Sequence, residues 1–109
     1  MELLRIFINE SDQWEGRPLY KAIVEKMRKA HMAGCTVFRG AEGFGESGRL
    51  RDARFDVLFL DLPVIIEAVD ALERIDAIAP ALGAMIKVGM MTRETVDVKM
   101  YRAKPPQTP

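Results

Sequence analysis

Four of the chain's eight glycines fall within residues 40–48, and three arginines, Arg49, Arg51 and Arg54, follow at once. Glycines at this density can turn backbone N–H groups toward an anion, and arginine grips phosphate or carboxylate with a planar fork. Two phosphate motifs come close by spacing. Residues 40–47 read G-x-x-x-x-G-E-S, a phosphate loop with Glu46 where the lysine belongs. That carboxylate repels phosphate, and no apolar helix follows it. Gly43-x-Gly45-x-x-Gly48 has the dinucleotide-binding spacing, but that fingerprint must open a helix. Here Arg49-Leu50-Arg51-Asp52 leads toward a strand instead. The segment therefore reads as a long, mobile hairpin connection, with Arg39 beside it as a further cation. Glu46 and Asp52 stand among the arginines and can neutralise them locally.

Other reactive side chains are sparse. His31 is the only histidine, placed near a helix C-terminus where the dipole favours a cation, and without nearby metal-ligand spacing it reads as structural. Cys35 is the only cysteine and is expected as a small buried residue. No Ser-His-Asp or Cys-His arrangement assembles, and no spacing singles out a catalytic carboxylate pair. The seven methionines suit core filling. Trp14 reads as a hydrophobic staple before the first helix, or as a contact across a subunit interface.

The elements that position these residues follow from periodicity. Residues 3–8 form a short apolar run, broken by Arg5, that predicts the first strand. Pro18 suits the first helical position, and Leu19, Ile23, Met27 and Ala30 recur at helical spacing up to a stop at Gly34. Thr36, Val37 and Phe38 begin a second strand. Residues 57–60 and 64–69, split by Asp61-Leu62-Pro63, are apolar on both faces and predict a central strand. Asp70 with Glu73 suggests a capping box for a second helix striped by Ile75, Ile78, Leu82 and Ile86. Pro80 should kink that helix and Gly83 weaken it; Gly89 should end it. Val96, Val98 and Met100 alternate with Asp97 and Lys99 as a last strand, and residues 103–109, with three of six prolines, read as a disordered tail.

The order β-α-β-(loop)-β-α-β predicts an α+β, ferredoxin-like domain over residues 1–102: a four-stranded antiparallel sheet with two helices on one face. The opposite face needs cover, and Phe7, Phe38 and Val98 are expected there, so an oligomer is expected too. A chain of 109 residues is one domain, and 49% hydrophobic residues at zero net charge exclude disorder. The same balance argues against general nucleic-acid binding. Charge is nonetheless uneven: residues 17–31 hold five basic residues and one acid, residues 56–84 six acids and one arginine. No apolar run is long enough for a membrane span, no signal peptide is expected with Glu2 and Arg5 at the start, and a single cysteine suits a cytoplasmic setting.

Four segments together carry a specific resemblance: residues 10–20 (ESDQWEGRPLY), residues 33–40 (AGCTVFRG), Gly43-Phe44-Gly45, and residues 61–67 (DLPVIIE). They resemble a bacterial family of unknown function within the wider group similar to the nitrogen-regulatory PII (GlnB-like) proteins. The resemblance implies a homotrimer with adenine nucleotides in the clefts between subunits. It also implies a T-loop between the second and third strands, here residues 43–55, that docks on a target, often a membrane transporter. A fluoride-export channel is the candidate target that the family suggests. The T-loop tyrosine of true PII proteins is missing, since the only tyrosines are Tyr20 and Tyr101, so uridylylation is not expected. The glycine-rich phosphate loop before the last strand is reduced to Lys87-Val88-Gly89, which favours AMP or ADP over a triphosphate.

The expected function is thus a non-enzymatic signalling module. Gly34, Thr36, Arg39, Gly40, Lys87 and Gly89 are the expected ligand residues; Gly43, Phe44, Gly45, Arg49, Arg51 and Arg54 are the expected partner-binding loop. No cofactor and no metal site are expected. The alternatives are a small oligomeric hydrolase or isomerase using His31, and a metal-responsive trimer.

Overall fold

The computed structural model describes residues 1–44, 51–52 and 61–105. Gly45, Arg49, Arg54, the apolar run 57–60 and most of segment 43–55 lie outside the described residues, as do residues 106–109.

Strand β1, Glu2–Asn9, alternates strictly, with Leu4, Ile6 and Ile8 buried and Leu3, Arg5 and Phe7 half-buried on the other face. A small hairpin follows, β2 (Gln13–Trp14) paired with β3 (Arg17–Pro18). Its two central residues, Glu15 and Gly16, both take positive φ, 47° and 80°, as the tight primed hairpin turn requires. Trp14 packs against the core with the Arg17 guanidinium 5.7 Å from its ring centroid, so it is a hairpin residue rather than a staple.

Helix α1, Leu19–Lys29, starts after Pro18, which is its N-cap rather than its first helical residue. It buries Leu19, Ala22, Ile23 and Met27; Ala30 caps the C-terminus and stays exposed. Strand β4, Thr36–Arg39, precedes β5 (Glu42–Gly43), whose backbone pairs with β6 (Arg51–Asp52). Strand β7, Pro63–Asp70, is the central strand that its apolar run predicts.

Helix α2, Leu72–Met85, buries Ile75, Ile78, Leu82 and Met85. It begins two residues after Asp70, which is no N-cap: its carboxylate instead accepts the N–H groups of Ala71 (2.7 Å) and Ala33 (2.9 Å). The helix continues through Pro80, which lies on the exposed side, and it ends at Met85, before Gly89.

The last strand, β8, is Met90–Thr95, not the alternating 96–100 stretch. The reason lies in its partner. β8 pairs antiparallel with β1 from Phe7↔Met90 to Glu2↔Thr95. Beyond Thr95 the chain has reached the start of β1, and the Val96 N–H bonds the Met1 carbonyl at 3.0 Å. No backbone ladder remains for Val98 and Met100.

The main sheet has the order β4-β7-β1-β8, antiparallel throughout. Both helices supply core side chains to one of its faces, so the domain is an α+β, ferredoxin-like βαββαβ fold. The core is one cluster in which Ile6, Ile23, Ile66, Ile75 and Leu82 are wholly buried. No helix among the described residues is long and apolar enough to cross a membrane.

Candidate functional site

The register fixes what the sheet face away from the two helices presents. Phe38↔Ile65, Ile65↔Phe7 and Phe7↔Met90 form one apolar row across all four strands. Phe38 and Met90, at the two edges, are about half exposed, at 47% and 54%. The next row of the same face is polar: Thr36, Glu67, Arg5 and Thr92. In it the Arg5 guanidinium reaches Glu67 at 2.5 Å and Glu94 at 3.0 Å. These carboxylates raise the Arg5 pKa, Glu67 most of all, so this cation persists at any working pH.

A cleft of about 510 Å³ opens beyond that row. Leu3 of β1, Glu67 and Val69 of β7, and Thr36 of β4 form its sheet side. The turn 33–35 forms one wall, pinned by the Asp70 carboxylate through the Ala33 N–H. The chain after β8, brought across by the Val96–Met1 bond, supplies Val98 and Tyr101. The walls are mostly apolar, and the polar side chains are few: Thr36, Cys35, Glu67 and, by its hydroxyl, Tyr101. An apolar recess with a few fixed polar groups suits a small organic ligand, apolar rings being held by Val69, Val98 and Tyr101. Cys35 is half-buried here, and burial pushes its thiol above its ordinary 9.0. At neutral pH it is a protonated wall rather than a nucleophile.

The expected ligand residues divide among three places. Gly34 and Thr36 line the cleft. Arg39 and Gly40 lie at the other end of β4, roughly 10 Å along the strand. There the Arg39 guanidinium holds Glu10 at 2.6 Å, and the Gly40 N–H donates to the Pro63 carbonyl at 2.7 Å. The Glu10 side chain is only 8% exposed, and its Oε2 is buried without a hydrogen-bond partner among the described residues. Ser11 next to it donates its hydroxyl to Asp61 at 2.6 Å. Lys87 and Gly89 precede β8, the opposite edge strand from β4. One chain therefore does not bring them to Thr36. Gly89 has its own structural demand: at φ 152° a Cβ would stand 2.6 Å from the Phe7 carbonyl oxygen.

Of the expected loop residues, Gly43 pairs with Arg51 in the β5–β6 ladder, and Phe44 is exposed at 74%. His31 is exposed with φ 58°, and its carbonyl accepts the Arg74 guanidinium at 2.7 Å. Among the described residues no group of three His, Cys, Asp or Glu side chains could hold a metal ion. Glu10, Glu67 and Tyr101 escape periodicity because each becomes a site residue only through long-range pairing.

The family model DUF190, described as "Uncharacterized ACR, COG1993", matches residues 1–98. The chain belongs to the DUF190 family. It is 34% identical over 97 residues to a UPF0166 protein of Aquifex aeolicus, covering 89% of this chain and 91% of that protein. It is 39% identical over 88 residues to a UPF0166 protein of Methanocaldococcus jannaschii, covering 79% of each. The DUF190 match ends at Val98, inside the cleft wall, so Tyr101 lies beyond the shared stretch.

Proposed function

We propose that this DUF190 chain is a PII-like regulatory protein of the cytoplasm. A homotrimer would take an adenine nucleotide, AMP or ADP, in clefts between subunits, and the segment around 43–55 would engage a partner such as a membrane transporter or fluoride channel. The observation that carries the reading is the cleft on the uncovered sheet face, where Gly34 and Thr36 already sit. Three further features support it. The apolar row Phe38, Ile65, Phe7, Met90 is a face for other copies to cover. A neighbouring copy is the simplest source of Lys87 beside Thr36, since within one chain two strands separate them. Arg39 ends the strand that leads toward segment 43–55 and Gly40 follows it, so an anion there would act on the base of that segment. Nucleotide binding shifts the loop only by preferring one of its forms.

The Glu10–Arg39 pair gives this reading a cost. An anion that draws Arg39 away leaves a buried carboxylate alone, which is strongly unfavourable. Sedimentation velocity combined with calorimetric titration of AMP, ADP, ATP and cyclic dinucleotides tests the proposal. The expected result is a trimer that releases heat with AMP or ADP and loses that heat in Thr36→Val. A stable single copy removes the assembly, and flat titrations for every nucleotide remove the sensing.

A further inference from the structure

The opposite side of the domain carries a second recess that this reading does not use. A groove of about 400 Å³ runs between α1 and α2. Its α1 side is Lys26, Lys29 and Ala30, spaced i, i+3, i+4; its α2 side is Arg74, Ala77, Ile78 and Ala81 at i, i+3, i+4 and i+7. These are the faces two packed helices would bury against each other. Here alanines at 30, 77 and 81 leave the space between them open, with Ala30 and Ala77 exposed.

The groove is apolar at its floor and cationic at its rim, and none of its lining residues is acidic. Arg74 is fixed, donating to the His31 carbonyl at 2.7 Å and standing 3.7 Å from Asp70. Lys26 and Lys29 are exposed. Among the described residues the carboxylate near Lys29 is Glu25, at 3.8 Å, and it is already gripped by Arg28 at 2.7 Å. Helix C-termini favour cations, but the macrodipole there amounts to only about half an elementary charge. Lys26, with no ion pair among the described residues, and Lys29, which only shares Glu25 with Arg28, exceed it. The positive charge is local, since the whole chain is neutral.

We propose that this groove docks an acidic, amphipathic segment of a protein partner. Aliphatic side chains of the segment would enter between Ala30, Ala77 and Ala81, and its carboxylates would meet Lys26, Lys29 and Arg74. A recess, rather than protruding aromatic or leucine side chains, suits inserted side chains better than a lipid surface. An apolar floor likewise suits a peptide better than a nucleic acid. The groove lies on the helix side, so copies seated on the sheet face leave it free, and the inference stands whether or not the nucleotide reading holds.

The test is selection of a displayed library of short helical peptides against the full-length chain, followed by fluorescence polarisation with the enriched peptide. Enriched sequences should pair acids with aliphatic residues at helical spacing. Their affinity should fall with salt and drop about tenfold or more in Lys26→Glu/Lys29→Glu. Ala77→Trp, which fills the groove without touching the charges, should weaken binding similarly, with circular dichroism confirming the fold of both variants. The charge-reversal variant concerns exposed side chains and remains decisive if the tryptophan disturbs packing. Failure to enrich acidic sequences, or binding indifferent to the charge reversal, overturns the proposal. So does co-sedimentation with phosphatidylglycerol vesicles in place of peptide binding.

Discussion

On one face of the sheet Leu4, Ile6, Val64 and Ile66 meet Ile23, Met27, Ile75 and Leu82 and lose contact with solvent almost completely. On the other face Phe38, Ile65, Phe7 and Met90 form a row of similar size whose edges remain half exposed, beside an arginine held between two glutamates. Both faces come from the same strands by simple alternation. The covered face is filled by complementary helix stripes and holds the subunit together. The open face has apolar area without a partner element among the described residues, and a charged row that would orient whatever covers it. In the proposed assembly the apolar area would supply affinity, while the Arg5 row would oppose wrong registers. A single alternating strand thus encodes stability on one side and, on the other, the face that our proposal assigns to recognition.

The largest expected effect separates these two roles. Ile66→Ala removes a wholly buried side chain and should cost about 2–5 kcal/mol of folding stability, read from the denaturant midpoint. Phe38→Ala, at a half-exposed edge of the open face, should change the stability of an isolated subunit by no more than about 0.5 kcal/mol, the usual scale for surface positions. Its effect should appear in sedimentation, as weaker association. Equal loss of stability from both, with unchanged sedimentation, would abolish the distinction between the faces.

The covered face is legible in the sequence, whereas the open face is legible only in part, through Phe7 and Phe38 in its apolar row and Gly34 and Thr36 in the cleft. The stripes Leu19–Ile23–Met27 and Ile75–Ile78–Leu82 need only helical spacing, and they landed on the core. The element order sufficed for the ferredoxin-like topology. What failed was local pattern without tertiary register. Residues 96–100 alternate like a strand, but β1 has no backbone left to pair with them, and Val98 becomes a wall of the cleft instead. Asp70 looks like a cap and instead ties two turns together. Arg39 is expected as a ligand residue, and its pairing with Glu10 across 29 positions of sequence leaves no local trace. Segment 43–55, the most conspicuous feature of composition, falls largely outside the described residues.

A smaller effect sharpens the comparison at two glycines expected to bind ligand. Gly89 underlies the sheet edge: a Cβ there meets the Phe7 carbonyl at 2.6 Å and the Ile8 and Ile86 side chains at 3.1 Å. With φ also unfavourable, Gly89→Ala should destabilise the fold by about 1–3 kcal/mol. Gly34 has nothing within 4 Å of its notional Cβ. Gly34→Ala should leave the thermal midpoint nearly unchanged and alter only ligand affinity at the cleft. Thermal melts of the two variants, run beside the nucleotide titration, distinguish a glycine required by packing from one free to serve a site.

The smallest effect concerns acid. Hydrogen bonds from Thr95 and Arg93 hold the Glu2 carboxyl below its ordinary 4.5, linking β1 to the last strand; the Arg28 guanidinium does the same for Glu25 on α1. A carboxyl with a lowered folded-state pKa contributes stability that is fully present above the unfolded value. It loses that stability as pH falls through the folded one. The denaturant midpoint should therefore be flat from neutral pH down to about 5 and decline once pH drops below 4.5, the range in which the two carboxyls begin to protonate in the unfolded chain. Glu2→Gln should lower the neutral-pH midpoint slightly and make the acid decline shallower, because the amide has no proton to gain. Glu25→Gln should act in the same direction but more weakly, since its partner Arg28 is exposed and the pair is a single-helix contact. An unchanged slope in both variants would assign acid sensitivity to other carboxylates and leave the strand-edge pair without a share in holding β8 to the sheet.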